Sequence, residues 1–192
     1  MLFPVLAIST EEGRDNGKHA GDVAPIIDLS KPVDYETAKL HIGEEEMSRL
    51  LKSGNLQMET AVAYGAPRLF VMARTGKSIE HEVSVGMISK RLTELGVGNY
   101  IMNRRNGPDI VAYLNGRSIA VEYETGRKSI SSTEKMLQSR IKSFWNTVVF
   151  VNDASYGTYS ARFGASAVSV IKIGGLGSLS TDRLEKAPPN EA

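Results

Sequence analysis

Residues 104–128 read RRNGPDIVAYLNGRSIAVEYETGRK, and the reading of this stretch decides the fold. Asn115-Gly116 is the strongest short hairpin signal, because both central positions of a type I′ turn require positive φ. It joins a strand over DIVAYL to a strand over SIAVEYE. A two-residue turn sets residue 114 opposite 117, so residue 109 falls opposite 122. Side chains alternate along a strand with period two. Glu122 and Glu124 therefore share one face, and Val121 and Tyr123 the other. Asp109 and Glu122 become cross-strand neighbours, roughly 5 Å apart at Cβ. Two carboxylates that close repel unless one takes a proton or a cation sits between them. A hard-oxygen cluster of this kind suits Mg2+ or Mn2+, held by one or two carboxylates with water and substrate phosphate. Such an ion polarises a phosphoryl oxygen and activates water, which is the chemistry of phosphodiester hydrolysis.

Working outward, residues 79–96 (IEHEVSVGMISKRLTELG) carry the longest helical pattern in the first half. Val85, Ile88, Leu92 and Leu95 recur at helical spacing, and Gly96 closes the helix. NYIMNRR reads as a strand leading into the hairpin. After the hairpin, Ser131-x-x-Glu134 offers a capping box for STEKMLQSRIKSFW, with Leu137, Ile141 and Phe144 inward. TVVFVND is an apolar run typical of a strand buried on both faces. A short segment around TYSARFGA leads to a similar run, AVSVIKI. The order α-β-β-β-α-β predicts an α/β fold, a mixed β-sheet core flanked by helices.

The N-terminal part has another texture. Residues 1–33 form an irregular lead-in punctuated by Gly13, Gly17, Gly21, Pro25 and Pro32, with a short strand conceivable over VAPIIDL. Residues 34–77 predict a helix over YETAKLHI capped by Asp34, a break at Gly43, and a second helix over EEEMSRLLKSG. Strands METAVAYG and PRLFVMA follow, joined at Gly65-Ala66-Pro67. Helix, turn, helix, hairpin is the order of a small winged-helix-like segment. Glu44, Glu45 and Glu46 open its second helix and would repel phosphates, so protein contacts suit it better than groove reading. The nuclease-like core is then expected over 78–174 and a flexible tail over 175–192.

The chain has 192 residues, 41% hydrophobic and 23% charged, with a net charge of +1 and no cysteine. Disulfides and cysteine-bound zinc are excluded, and a cytoplasmic setting is favoured, or a host-cell interior for a plasmid or viral protein. No apolar run reaches 18 residues, so no membrane span is expected. The near-zero charge means that nucleic-acid contact must come from local clusters. Arg74-Thr75-Gly76-Lys77 lacks the glycine spacing of a phosphate loop. Gly174-Gly175-Leu176-Gly177 leaves too few residues for a βαβ unit, so no nucleotide cofactor is expected.

The constellation Pro108-Asp109 … Glu122-Tyr123-Glu124 resembles the PD-(D/E)xK, or restriction-endonuclease-like, nuclease superfamily. The wording PDIVAYLNGRSIAVE is similar to archaeal Holliday-junction resolvase-type nucleases. RTGKSIEHEVSV followed by VEYETGRKS also resembles plasmid replication-relaxation proteins, in which a winged helix precedes a degenerate nuclease-like domain. The resemblance implies a metal-dependent DNA endonuclease, selective for structures such as junctions or flaps and acting as a homodimer. It implies metal ligation by Asp109 and Glu122, with Glu82 or Glu80 of the preceding helix as an extra ligand. The family pattern has lysine two residues after Glu122, where this chain has Glu124. Lys128, Arg127 and Lys135 are the nearest replacements for orienting water or stabilising developing charge, and Lys128 is the preferred one. The other account makes Glu124 a second metal ligand or the mark of a retired site.

Several residues keep two readings. Arg104, Arg105, Arg117, Arg127 and Lys128 would flank the scissile phosphate and hold the DNA backbone, or form an ordinary charged loop that balances the acids. Lys135 and Gln138 would face the site from the second large helix, or lie in solvent. His81 would serve as ligand or base, or as a surface histidine. Glu122 and Glu124 could instead form the solvated face of an edge strand, paired with Arg104 or Arg117. The competing function is a non-catalytic DNA-binding replication or mobilisation accessory protein with a degenerate nuclease fold. A small-molecule phosphodiesterase is the third.

Overall fold

The computed structural model describes residues 27–102 and 106–185. These divide into two compact units. One comprises residues 27–61 and 67–79, the other 62–66 together with the described residues from 80 onward.

The first unit has a two-residue strand β1 (Val33–Asp34), helices α1 (Tyr35–Ile42) and α2 (Glu44–Lys52), and most of strands β2 (Leu56–Ala63) and β3 (Ala66–Ala73), with sheet order β1-β3-β2. Asp34 caps α1 as expected, its carboxylate accepting from the Glu36 and Thr37 N–H groups. A Schellman ending closes α2: Asn55 N–H bonds Leu50 O and Gly54 N–H bonds Leu51 O, with Gly54 at φ 75°. Met47, Leu50, Leu56 and Val71 are buried together. Helix, helix, hairpin is thus the observed order. The turn differs from expectation. It lies at Tyr64-Gly65, φ 53° and 81°, and Pro67 falls inside β3. Two consecutive positive-φ residues match the twist of a hairpin better than a proline turn does. Within VAPIIDL, residues 27–29 form no strand, and residues 23–26 lie outside the described residues.

The second unit is built on a five-stranded mixed sheet in the order β4-β5-β6-β7-β8: Gly98–Ile101, Ile110–Leu114, Arg117–Glu124, Asn146–Val151 and Val168–Lys172. The first two pairings are antiparallel and the last two parallel. Helix α3 (Ile79–Glu94) covers one face, where Val85, Ile88 and Leu92 join Ile110, Ile119, Val121, Val148 and Phe150. Helices α4 (Ile130–Ser143) and α5 (Asp153–Phe163) cover the other. There Leu137, Tyr159 and Phe163 pack with Val149, Val151 and Val168. All six residues of β7 are buried, as its two-sided apolar pattern requires.

Two expectations are corrected here. Helix α4 starts earlier than the Ser131 capping box implies, because Ser129 is the N-cap and accepts from Ser132 N–H. The flexible tail expected from residue 175 does not begin there. Residues 173–178 form a 3-10 turn, and a short helix, α6, spans Thr181–Leu184. Leu179 and Leu184 are buried in the α3-side core. Arg91 Nη2 donates to Gly177 O and Leu179 O, each at 3.1 Å, and Asn146 Nδ2 donates to Leu184 O at 2.7 Å. Residues 186–192 lie outside the described residues.

Candidate active site

The hairpin register is the one the turn dictates. Leu114 pairs with Arg117 and Ile110 with Val121, so Asp109 stands opposite Glu122. The backbone confirms it: Asp109 N–H donates to Glu122 Oε2 at 3.3 Å, and Tyr123 N–H donates to Asp109 Oδ2 at 2.8 Å. Strand β6 is central in its sheet, and Glu122 and Glu124 are only 4% and 3% exposed. The solvated edge-strand reading of these glutamates is thereby overturned.

Buried Glu122 and Glu124 and half-buried Asp109 each have a cation of this chain beside them. Lys128 Nζ donates to Glu124 Oε1 at 2.8 Å. Arg140 Nε donates to Glu122 Oε1 at 2.5 Å, while its Nη1 and Nη2 hold the Asn106 and Gly107 carbonyls at 2.9 and 2.6 Å. One guanidinium thus ties the acid of β6 to the loop that delivers Asp109. His81 Nε2 lies 3.2 Å from Asp109 Oδ2, and its Nδ1 3.5 Å from Glu82 Oε1.

The electrostatics follow from this layout. Burial, then repulsion from Asp109, pushes the Glu122 carboxyl up to about 7 despite the opposing pull of Arg140. Burial alone would raise Asp109 too, but the hydrogen bond and charge of His81 hold its carboxyl below the usual value. Burial alone would lower His81. Its contacts to Asp109 and Glu82 outweigh that and raise it to about 9, so at neutral pH His81 is a cation and a donor rather than a base. Burial also opposes charge on Lys128, yet Glu124, Asp109 and Glu122 together raise its pKa.

The expected residues separate accordingly. Asp109, Glu122 and His81 meet directly. Glu124 and Lys128 meet each other, within the field of the other two acids. Glu82 reaches the centre through His81. Glu80 instead accepts from Tyr123 Oη at 3.1 Å and Arg127 Nη2 at 3.4 Å. Lys135 and Gln138 are exposed on α4, whose buried residues are Thr133, Leu137 and Arg140. Arg117 belongs to the turn end of β6, roughly 17 Å along the strand from Glu122, with its guanidinium 4.6 Å over the Trp145 ring. It does not cluster with the acids. Arg104 and Arg105 lie outside the described residues. Arg140, which the sequence reading set on the second large helix without a place in the site, is buried and shares the helical stripe of Thr133 and Leu137.

Among the described residues, no group of three or more His, Cys, Asp or Glu is arranged to hold a metal ion. Two adjacent carboxylates remain a sufficient protein contribution for Mg2+, which keeps several waters and uses substrate oxygens. Among the described residues, no helix is long and apolar enough to cross a membrane.

No family model matches this chain, and no curated protein matches it. Among solved structures, it is similar to protein VC1899 from Vibrio cholerae, with TM-score 0.40 and 12% identity. The match covers 80% of this chain and 45% of that one, so this chain spans less than half the length of that protein.

Proposed function

We propose that this chain is a metal-dependent deoxyribonuclease of the PD-(D/E)xK type, hydrolysing DNA phosphodiester bonds with selectivity for structures such as junctions or flaps. The observation that carries the reading is the pair of half-buried Asp109 and buried Glu122, facing each other across a hairpin on a mixed α/β sheet. The β4-β5-β6-β7 arrangement with α3 and α4 on opposite faces is compatible with a restriction-endonuclease-like core, and the first unit's helix-helix-hairpin order with a winged-helix-like attachment.

Asp109 and Glu122 would hold Mg2+ or Mn2+, with Glu82 close by through His81. The ion supplies Lewis-acid polarisation of a phosphoryl oxygen and lowers the pKa of water. The chain's own groups do the rest. Tyr123 N–H fixes the Asp109 carboxylate, and Arg140 fixes Glu122. Lys128, 61% exposed at its side chain and anchored on Glu124, would donate to the attacking water or to the charge developing on phosphate. Arg127, whose Nη2 reaches Glu80 at 3.4 Å, would hold the DNA backbone. Two symmetric cuts would need a homodimer.

One observation favours a second reading, a non-catalytic DNA-binding accessory protein. Glu124 stands where the family has lysine, and its charge, like those of Asp109 and Glu122, is met by a cation of the chain. The two separate experimentally. Labelled single-stranded, duplex, flap and four-way-junction DNA are incubated with Mg2+, Mn2+ or EDTA. Metal-dependent cutting lost in Asp109→Ala supports the nuclease. DNA binding that survives Asp109→Ala, with no cutting by wild type, supports the accessory protein.

A further inference from the structure

The sheet face that carries the acids continues beyond them. Residues paired across adjacent strands point to the same side. Tyr113 pairs with Gly98 and Ser118, and Val111 with Tyr100 and Ala120. Met102 N–H bonds Asp109 O, which carries the same ladder on to Asp109 and Glu122. Tyr100, Tyr113, Asp109 and Glu122 therefore share one face, opposite the side where α3 packs on Ile110, Ala112, Ile119 and Val121. Tyr100 lies about two residues along from Asp109 and one strand over, roughly 8 Å away by strand geometry.

Both tyrosines of this face are exposed. Tyr100 is 47% and Tyr113 48% exposed, while Val111, the cross-strand partner of Tyr100, is buried. The rings stack on each other, with centroids 6.2 Å apart and planes inclined by 27°. Two large flat rings in contact, carried on strands rather than a loop, present a continuous aromatic surface. An edge strand guarded only against aggregation would carry charge here.

We propose that Tyr100 and Tyr113 are a stacking platform for unpaired bases, so that the substrate presented to Asp109 and Glu122 is a DNA strand with unstacked nucleotides. The proposal rests on the nuclease reading for the acids and adds the substrate class. Base–aromatic stacking tolerates any sequence, because every base has a π face. Bases inside a duplex are already stacked on one another and cannot use the platform. A strand whose bases lie on the tyrosines passes its backbone within a nucleotide or two of the acidic pair. Single strands and single-stranded flaps qualify, and a blunt duplex does not.

The test measures binding of fluorescein-labelled oligothymidylate, oligouridylate and blunt duplex to the full chain in EDTA, by anisotropy. Tyr100→Phe/Tyr113→Phe keeps both rings, and Tyr100→Leu/Tyr113→Leu keeps apolar cover without them. The phenylalanine form is expected to bind oligothymidylate like wild type. The leucine form is expected to bind it on the order of tenfold more weakly or worse, with duplex binding unchanged. The loss should persist at raised salt, since phosphate contacts weaken with salt and stacking does not depend on counterion release. Equal binding by the leucine and phenylalanine forms overturns the proposal. So does equal loss on single strand and duplex, or ring-dependent binding confined to RNA. A changed sedimentation coefficient in the leucine form, with single-strand binding intact, assigns the rings to a contact between copies and also overturns it. The readout is independent of cleavage. Ring-dependent binding by a protein that cuts nothing sinks the nuclease and leaves the platform. Cleavage of single strands unaltered by the leucine changes sinks the platform and leaves the nuclease.

Discussion

Asp109 and Glu122 are held against each other through the hairpin backbone. Asp109 N–H reaches the Glu122 carboxylate at 3.3 Å, and the next residue's N–H, from Tyr123, reaches the Asp109 carboxylate at 2.8 Å. Neither acid can turn away without breaking a bond that the other's strand supplies. Asp109→Asn and Glu122→Gln preserve these shapes and remove the charge. Each is expected to weaken Mn2+ binding, followed by electron paramagnetic resonance, by at least the ~100-fold that loss of a mere outer-shell partner can cost. Wild-type affinity in either variant contradicts the assignment.

Lys128 is anchored on buried Glu124 by a 2.8 Å bond while most of its own side chain stays in solvent. Lys128→Ala leaves buried Glu124 without its cation and should lower thermal stability, by less than loss of Arg140 does because the Lys128 side chain is itself mostly in solvent. It should lower single-turnover cleavage by about 10²–10³-fold, with Lys128→Arg recovering part of the loss. A silent Lys128→Ala would remove this residue from the chemistry.

Arg140 is buried with Glu122 and holds two loop carbonyls as well. Arg140→Met leaves a carboxylate and both carbonyls without their donor, and should cost about 3–5 kcal/mol in denaturant unfolding. Arg140→Met combined with Glu122→Met removes both charges and should regain a large part of that. Equal stability of the single and double variants would show that the pair is not coupled.

The pH dependence of the metal-free protein follows from two raised groups. His81 rises from 6.5 to about 9, so its contribution to stability is complete below pH 6.5 and is lost as pH climbs through 9. Glu122 rises from 4.5 to about 7, so folding is favoured most below pH 4.5 and progressively less as pH passes 7. The Tm in EDTA should therefore fall between pH 5 and 9. His81→Gln should flatten the upper part of that decline, and Mn2+ should raise Tm more at pH 8 than at pH 5.5. Scanning calorimetry showing a Tm that climbs with pH over this range would contradict the layout of charges.

What was legible in the sequence was local. Asn115-Gly116 fixes the register of β5 and β6 by itself, and the alternation of Val121, Glu122, Tyr123 and Glu124 then places the acids. The cap at Asp34 and the glycine ends of α1 and α2 were equally readable. Features that depend on distant chain were not. Leu179 and Leu184 stand isolated among glycine, serine and charge, and nothing local shows that the α3-side core receives them. Arg140 sits at buried spacing on α4, but an arginine reads as solvent-facing until Glu122 and the 106–107 carbonyls are known to await it. The Tyr100–Tyr113 stack needs the pairing of β4 with β5, which a plain strand pattern over NYIM does not specify.

The most direct test of the central claim is single-turnover cleavage of end-labelled DNA by purified wild type, Asp109→Ala and Glu122→Ala, each with Mg2+, Mn2+ or EDTA. The account predicts cutting by wild type only with metal, stronger on substrates with single-stranded segments than on blunt duplex, and none by either variant. Absence of cutting by folded, DNA-binding wild type under both metals, or cutting that survives both substitutions, would contradict it.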